Sequence, residues 1–384
     1  MSTFHFESVP SLLREFGACQ RLGSILRERF DKQRLSLVTD AFLFQSGLLQ
    51  PALDSLAAAG WKVCVISEVV ADPPEEVVLA ATEKSRQFAA EVIVGLGGGS
   101  SMDVAKLIAV LSSGEQALST MYGINNIKTA RLPLVQIPTT AGTGSEVTPI
   151  SIVTTGATTK AGVVSPQLYA DLTILDTELT MGLPPRITAA TGIDAMVHAI
   201  EAYTSRVKKN PYSDMLAREA LRLLSGNLLR ACRDGSNRDA REAMLLGATL
   251  AGQAFANAPV AAVHALAYPI GGLFHIAHGL SNALVLPHVL RFNLPVTSAL
   301  YAELADIVVP ASGRSVEAGA QALLEWATTL ATQTGIESRL RDVGITQADL
   351  PQLASEAMLQ TRLLGNNPRP LTQEDALAIY QAAY

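Results

Sequence analysis

One stretch in the second half of the chain, residues 243–290, contains no Asp, Glu, Lys or Arg. Charged residues make up 17% of the whole sequence, so a run of this length without charge predicts the most buried part of the fold. The run also holds four of the six histidines, His264, His275, His278 and His288. Because buried imidazole rings need polar partners, we expect some of these rings to contact one another or other polar side chains.

The first half of the chain alternates between two kinds of pattern. Short apolar runs bounded by turn residues predict strands at 35–40, 62–66, 91–95 and 134–138. Helix-period stretches separate them, as at 75–90 and 103–112. Strands that alternate with helices predict a parallel sheet covered on both faces.

The second half has few β-branched runs and many stretches rich in Ala and Leu, such as 214–229 and 239–256. These predict helices. A length of 384 residues favours two domains, with three as the alternative. We therefore expect an α/β domain with a parallel sheet over 1–184, followed by an all-helical domain over 185–384.

Charge and cysteine content exclude several classes of protein. A net charge of −6 gives no attraction to nucleic acid or to an anionic membrane. Every long apolar run is interrupted by Pro, Gly, His or charge, so we expect no membrane span. The first residues lack the pattern of a signal peptide. The three cysteines, Cys19, Cys64 and Cys232, form no paired spacing and predict reduced thiols in a cytoplasmic protein.

A glycine-rich loop, Gly97-Gly98-Gly99-Ser100, follows a predicted strand and precedes a helix. Without side chains, its backbone amides and the helix N-terminus could approach a diphosphate. The loop fits neither the G-x-G-x-x-G fingerprint nor a P-loop. A tight strand-to-helix turn is the alternative interpretation.

A second loop, residues 138–146, also follows a strand and contains four hydroxyl side chains and two glycines. It suits a second nucleotide contact, or else a polar helix cap. Asp40 ends an earlier strand. At that place a carboxylate could accept hydrogen bonds from a ribose diol and repel a 2′-phosphate, unless it is an ordinary surface acid.

Asp194 and His198 are four residues apart in a predicted helix and so lie on one face. His264 and His278 belong to the run without charge. Three imidazoles and one carboxylate suit Fe²⁺ or Zn²⁺ better than Mg²⁺ or Ca²⁺. The alternative is that the helical pair and each histidine are hydrogen-bonded parts of the core.

Five segments together resemble the iron-containing (group III) alcohol dehydrogenase family, and the resemblance covers nearly the whole chain. The segments are GLGGGSSMDVAK, IPTTAGTGSEVTP, LPPRITAATGIDAMVHAIEAYTS, residues 263–293 and Asn367-Pro368-Arg369. Related glycerol dehydrogenases and dehydroquinate synthases match these stretches less well. The resemblance implies an NAD-dependent alcohol dehydrogenase or aldehyde reductase that contains a divalent metal, with Fe²⁺ expected and Zn²⁺ as the alternative.

The resemblance also implies roles for individual residues. The implied metal ligands, which act in catalysis through the metal, are Asp194, His198, His264 and His278. The implied NAD contacts are Asp40, Gly97, Gly98, Gly99, Ser100, Thr139, Thr140, Thr143, Thr148, Lys160 and Leu179. The implied substrate pocket includes Ile150, Phe255 and Val260.

One position departs from the family pattern. Many members carry a histidine four residues after the third ligand, and this chain has Tyr268 there. If the histidine relays the alcohol proton, a tyrosine with an ordinary pKa near 10 must do so differently or not at all. Tyr268 is therefore a candidate catalytic residue without a settled role.

The expected substrate is a small primary alcohol or its aldehyde, and we expect a homo-oligomer, a dimer or larger. Maleylacetate reductase-like and other oxo-acid reductases, and a dehydroquinate synthase-like lyase, are the alternatives on the same fold. Both need cations in the pocket, which the run without charge does not supply. A metal-dependent hydrolase and an inactive metal-binding protein are alternatives of other classes.

Overall fold

The computed structural model describes residues 3–156 and 159–384. These residues form two compact units. The α/β unit comprises Ser8–Thr140 and Ser145–Met181. The helical unit comprises the segment ending at Glu7, Ala141–Gly144 and Gly182–Tyr384. The predicted fold class, a parallel-sheet domain followed by a helical domain, is confirmed.

The α/β unit contains nine strands and five helices among its described residues. Its strands are β1 (Leu12–Arg14), β2 (Arg34–Asp40), β3 (Lys62–Val69), β4 (Val92–Gly97), β5 (Gly123–Ile124), β6 (Leu134–Pro138), β7 (Ile150–Thr155), β8 (Thr159–Val164) and β9 (Leu172–Leu175). Its helices are α1 (Leu22–Arg29), α2 (Ala41–Gln45), α3 (Gln50–Ala58), α4 (Glu75–Gln87) and α5 (Gly99–Leu111).

Six strands form one sheet in the order β1-β9-β6-β4-β2-β3, and every neighbouring pair in it is parallel. The chain passes from β2 outward to β3 and then returns to place β4 on the other side of β2. The direction of winding therefore reverses between β2 and β4. In open α/β sheets a ligand-binding crevice forms at the carboxyl ends of the strands at such a reversal.

Side chains of the large sheet are apolar on both faces. In β4, Ile93 packs with one core cluster, whereas Val92 and Val94 pack with the other. The first cluster includes α4 and α5, and the second includes α1 and α3. Helices therefore cover both faces, as a parallel sheet requires.

A second, three-stranded sheet has the order β5-β8-β7. The β7 and β8 strands form an antiparallel pair, with Ile150 opposite Val164. The sequence analysis did not predict this sheet. Half of the residues in β7 are Thr or Ser, β8 contains a Lys and a Gly, and both strands are only partly buried. They therefore lack the long apolar run by which the strands of the large sheet were found.

In the stretch Gly182–Tyr384, which is described throughout, every regular element is a helix. The helices are α6 (Pro185–Thr204), α7 (Pro211–Arg233), α8 (Arg238–Asn257), α9 (Ala262–Phe274), α10 (His278–Val308), α11 (Val316–Thr334), α12 (Leu350–Ala357), α13 (Thr361–Leu364) and α14 (Gln373–Ala383). Side chains of Asn210, Asn237 and Ser315 cap α7, α8 and α11 by accepting a bond from the third helical N–H.

The fully buried guanidinium of Arg241 ties the start of the helical unit to α8. It donates to the Thr188 hydroxyl at 2.7 Å and to the carbonyls of Leu183 and Gly235 at 2.9 and 3.0 Å. A buried charge needs such partners. The segment that leads into α6 is thereby bound to α8 within the helical unit.

One helix in the described part of the chain, α10, is long and apolar enough to cross a membrane by length and composition. About half of it is buried, with 44% of its most apolar window inside the protein. Buried core helices pass the same test, so this helix is weak evidence for a membrane span.

Two glycines in helices of this unit offer a matched test of the packing. A Cβ on Gly319 in α11 would lie 2.8 Å from Cβ and 3.0 Å from Cα of Ala302 in α10, whereas one on Gly226 in α7 would meet nothing within 4 Å. We expect Gly319→Ala to lower the free energy of unfolding by about 1–3 kcal/mol. Gly226→Ala should raise it by about 0.5–1 kcal/mol. Urea denaturation measures both, and equal effects would contradict this packing.

Candidate functional site

Three helices bring four potential metal ligands together. Asp194 and His198 lie one turn apart on α6, His264 lies in the first turn of α9, and His278 is the first residue of α10. One donor atom from each side chain lies within 4.8 Å of the others. The structure thus brings together all four residues that the sequence analysis predicted as ligands.

Close helix packing makes this convergence possible. A Cβ on Gly279, the residue after His278, would lie only 2.3 Å from the carbonyl oxygen of Ala190 on α6. A Cβ on Gly192 would lie 2.5 Å from Leu228 and 2.7 Å from Met244. Glycine at these two places lets α10, α7 and α8 approach α6 closely enough to set the ligand positions.

The geometry and chemistry of the four groups fit a divalent metal. Nε2 atoms of His198, His264 and His278 lie 3.9, 3.8 and 3.6 Å from Asp194 Oδ1. Ligands about 2.1 Å from a tetrahedral ion are about 3.4 Å apart. His264 Nε2 is buried and has no hydrogen-bond partner among the described residues. Three nitrogens and one oxygen suit Fe²⁺ or Zn²⁺.

The protonation of the cluster also suits metal binding. Burial, opposed by the charge of Asp194, lowers the pKa of His198 to about 3, so this ring is neutral at pH 7. Although burial opposes its ionisation, the three facing imidazoles and the Asn282 amide hold the pKa of Asp194 below its ordinary value. A carboxylate and a neutral imidazole are the forms that bind metals.

Aromatic and apolar side chains adjoin the cluster. The Phe255 ring stacks on His198 with a centroid distance of 4.3 Å. The centroid of the Tyr268 ring lies 5.8 Å from that of His278. The tyrosine that stands where many family members have a histidine therefore lies beside a predicted metal ligand. Val260 precedes α9 and is buried. Phe255 and Val260 are thus placed in the unit that holds the cluster.

Two residues around the cluster were not predicted. Glu201 accepts a hydrogen bond from His264 Nδ1 at 2.7 Å, and Asn282 donates to Asp194 Oδ1 at 2.6 Å. A signal for both exists in the sequence. Glu201 follows Asp194 and His198 at the helical spacing i, i+4, i+7, and Asn282 follows His278 by four.

The residues predicted to bind NAD lie partly at the reversal of the large sheet. Asp40 ends β2 and Gly97 ends the neighbouring strand β4, followed by Gly98, Gly99 and Ser100 at the start of α5. Asp40 caps α2, because its Oδ1 accepts from the Leu43 amide at 2.9 Å. The carboxylate of Asp40 therefore has a structural role as a helix cap, and its contact with NAD stays a prediction.

Gly97 and Gly98 serve different purposes. A Cβ on Gly97 would lie 2.7 Å from the Ser101 side chain, so the turn itself needs glycine there. A Cβ on Gly98 would meet only Thr140, at 3.9–4.0 Å, and the φ of −73° suits any residue. The space at Gly98, next to the free N–H groups of α5, is open to an anion such as a diphosphate.

The second loop is held by a buried lysine that was not predicted. Lys106 Nζ donates to Ser145 Oγ at 2.7 Å, Thr148 Oγ1 at 3.2 Å and the Ile150 carbonyl at 2.6 Å. Burial lowers the pKa of its ammonium group. The Thr148 hydroxyl, predicted to contact NAD, is thus bonded within the protein, and the carbonyl of the predicted pocket residue Ile150 serves the same network.

The remaining predicted NAD contacts are placed as follows. Lys160 forms an ion pair with Asp72 at 2.6 Å. Thr139 is buried and its amide bonds to the Gly97 carbonyl at 2.9 Å. Leu179 is buried in the core cluster that includes α1 and α3. Thr143 belongs to the helical unit rather than to the α/β unit.

Comparisons with known proteins identify the class to which this fold and site belong. Residues 10–177 match the family described as iron-containing alcohol dehydrogenase, and residues 188–384 match the Fe-containing alcohol dehydrogenase family, C-terminal. Long-chain-alcohol dehydrogenase 1 of Geobacillus thermodenitrificans is 42% identical, with 93% of this chain and 91% of that protein covered.

Comparison with solved structures supports the same class of protein. A crystal structure of 1,3-propanediol oxidoreductase matches with a TM-score of 0.96 and 34% identity over 100% of both chains. Sulfoacetaldehyde reductase from Bifidobacterium kashiwanohense in complex with NAD⁺ matches with a TM-score of 0.86 and 28% identity, over 100% of this chain and 99% of that one.

The chain belongs to the iron-containing alcohol dehydrogenase family. It is an oxidoreductase that acts on CH–OH groups, and its relatives are alcohol dehydrogenases and aldehyde reductases. The family uses NAD and a divalent metal. The assignments of individual site residues stay predictions.

The open space at Gly98 gives a test of the diphosphate loop. We expect Gly98→Ala to leave the thermal midpoint unchanged, because the new methyl group contacts only Thr140 at van der Waals distance. If the loop binds NAD, the methyl should weaken NADH binding at least tenfold by keeping the diphosphate from the backbone. Fluorescence titration with NADH measures this, and unchanged affinity would remove Gly98 from the cofactor site.

Proposed function

We propose that this enzyme interconverts small unbranched primary alcohols and their aldehydes, with NAD(H) as hydride carrier and Fe²⁺ as the native metal. Zn²⁺ is the alternative metal. The observation that carries the proposal is the cluster of Asp194, His198, His264 and His278, with the apolar side chain of Phe255 stacked on one of its imidazoles.

The proposed chemistry divides between the groups that are bound and the residues of the chain. A bound metal would supply Lewis acidity toward the substrate hydroxyl, and a bound nicotinamide would supply the hydride acceptor. Asp194 and the three histidines would hold the metal. Phe255 and Val260 would supply apolar surface for the carbon chain. We assign Tyr268, beside His278, as the candidate group for moving the alcohol proton.

We assign NAD binding to residues 1–184, the expected nucleotide-binding domain, and metal and substrate binding to residues 185–384. Asp40, Gly97, Gly98, Gly99 and Ser100 support this, because they lie at or directly after the carboxyl ends of β2 and β4, where the sheet reverses. The remaining proposed cofactor contacts are Thr139, Thr140, Thr143, Thr148, Lys160 and Leu179.

An uncharged substrate is favoured over an oxo acid. The segment around the cluster, residues 243–290, carries no cation, and a carboxylate in an apolar wall is costly. Arg369, which could have supplied a positive charge, stacks on Phe292 at 4.1 Å and donates to the Phe292 carbonyl. A relative named for sulfoacetaldehyde, an anionic substrate, makes the oxo-acid alternative worth testing directly.

We also propose a homo-oligomeric enzyme, a dimer or larger, that acts in the cytoplasm. The edge strand β1 has a neighbour on one side only within the described sheet, and the unpaired backbone groups of an edge strand can pair with another chain. Reduced thiols fit the cytoplasm, and all three cysteines are free. Sedimentation velocity of the full chain tests the assembly.

The substrate class is tested with primary alcohols of two to six carbons and the matched hydroxy acids. Each buried methylene contributes about 0.8 kcal/mol, so kcat/KM should rise about fourfold per carbon until the pocket is full. We expect each alcohol to exceed its hydroxy acid. Higher kcat/KM for the hydroxy acids would support an oxo-acid reductase and would direct attention to Arg291 and Arg369.

The cofactor preference is tested at Asp40. We expect NAD to be preferred over NADP, because a carboxylate repels a 2′-phosphate. Asp40→Asn can keep the cap bond to Leu43 while removing the charge. It should therefore lower the ratio of kcat/KM for NAD to kcat/KM for NADP at least tenfold, without unfolding α2. Asp40→Ala should lower this ratio as well, with a loss of stability of about 1 kcal/mol from the missing cap. Equal kcat/KM for NAD and NADP in the unmutated enzyme would contradict this assignment.

A further inference from the structure

Glu201 is a buried acid that faces the metal cluster from behind one of its rings. Its side chain is 5% exposed and lies on α6, seven residues after Asp194. Oε2 accepts from His264 Nδ1 at 2.7 Å and from the Ala261 amide at 2.9 Å, and Oε1 accepts from the Val263 amide at 2.6 Å. In the described part of the chain, no lysine or arginine pairs with it.

These bonds fix the state of the His264 ring. All other donors to Glu201 are backbone amides, so the carboxylate stays an acceptor and the imidazole donates from Nδ1. The lone pair is then on Nε2, the buried atom that lies 3.8 Å from Asp194 Oδ1 and has no hydrogen-bond partner within residues 3–156 and 159–384. A carboxylate that accepts from the far side of a ligating imidazole fixes the tautomer and the orientation of the ring.

Glu201 also holds the backbone that carries this ring. Ala261 and Val263 lie at the start of α9, where the first N–H groups have no partner within the helix. The preceding segment, residues 258–261, is bound by two further side chains, because Ser205 donates to the Pro259 carbonyl and Asn366 donates to the Val260 carbonyl. Of the three, only Glu201 touches both the segment and the imidazole.

We propose that Glu201 is a positioning residue for the metal site: its carboxylate selects the His264 tautomer that presents Nε2 to the metal and anchors the start of α9 from the same atoms. The inference rests on the proposed metal site. The alternative is that Glu201 only stabilises the N-terminus of α9. In that case metal affinity would depend on the stability of residues 258–261 and not on which group accepts the hydrogen bond from His264 Nδ1.

The test is Zn²⁺ affinity, measured by competition with a chromophoric chelator on full-length, metal-stripped protein. Glu201→Met keeps the length of the side chain and removes the acceptors. We expect it to weaken Zn²⁺ binding by 10- to 100-fold, the usual effect of losing such a partner. Glu201→Gln retains one acceptor and should fall between the wild type and Glu201→Met. If Glu201→Met does not fold, the same measurement on Glu201→Gln decides, with at least fivefold weakening expected.

Asn366→Ala is the matched control, because it loosens the same segment at Val260 without touching His264. It should lower the thermal midpoint and leave Zn²⁺ affinity unchanged. A second readout needs no metal: ¹⁵N NMR of histidine-labelled apoprotein should show His264 protonated at Nδ1 in the wild type, and a mixture of tautomers in Glu201→Met.

His264→Ala distinguishes failure of the proposed metal site from failure of the proposed positioning role of Glu201. If His264→Ala binds Zn²⁺ as the wild type does, the metal site itself is wrongly assigned. If His264→Ala loses the metal but the deciding Glu201 variant binds it within twofold of the wild type, the site stands and the positioning role is refuted. Equal weakening in Asn366→Ala and the Glu201 variant would also refute it, since segment stability would then explain the effect.

Discussion

The carboxylate of Asp194 is 2% exposed and faces three imidazoles. A charge buried in this way needs hydrogen-bond donors or a metal ion, and the groups around Asp194 fit both needs. His198 follows one turn later on the same helix, α9 and α10 each deliver one ring, and Asn282 donates to the carboxylate from α10. Gly279 permits the approach of α10 that this arrangement needs, since a Cβ there would overlap the Ala190 carbonyl. The donor atoms then form the three-nitrogen, one-oxygen set that Fe²⁺ and Zn²⁺ accept.

The proposed cofactor site in the α/β unit follows a different constraint, which is the need to bring backbone rather than side chains to a ligand. Gly98 leaves open space at the start of α5, and the neighbouring strand ends at Asp40. Rigidity comes from behind the loops, where Lys106 joins α5 to the segment of Ser145, Thr148 and Ile150. A loop held in this way can present amide groups without moving, which is what recognition of a diphosphate by backbone requires.

The hydrophobic pattern of the sequence was sufficient to predict the strands and helices with strong periodicity. The strand predicted at 134–138 has the bounds of β6, and the helix predicted at 239–256 lies within one residue of α8 at each end. The three-stranded sheet was not predicted, because β7 and β8 are only partly buried.

The spacing of Asp194 and His198 was enough to predict that these two candidate ligands share one face of a helix. The run without charge holds four histidines, and its sequence does not show which of them are metal ligands. His275 is exposed, with a φ of 56°, and His288 is partly buried; only tertiary packing distinguishes these two from His264 and His278.

We infer that one divalent metal is bound by four side chains, all of them in the helical unit. Anomalous diffraction at the iron edge, from crystals of protein purified with its metal, can locate the ion. We expect a single peak per chain, about 2.0–2.2 Å from one carboxylate oxygen of Asp194 and from Nε2 of His198, His264 and His278. A peak elsewhere in the chain, or one coordinated by fewer than three of these residues, would contradict it.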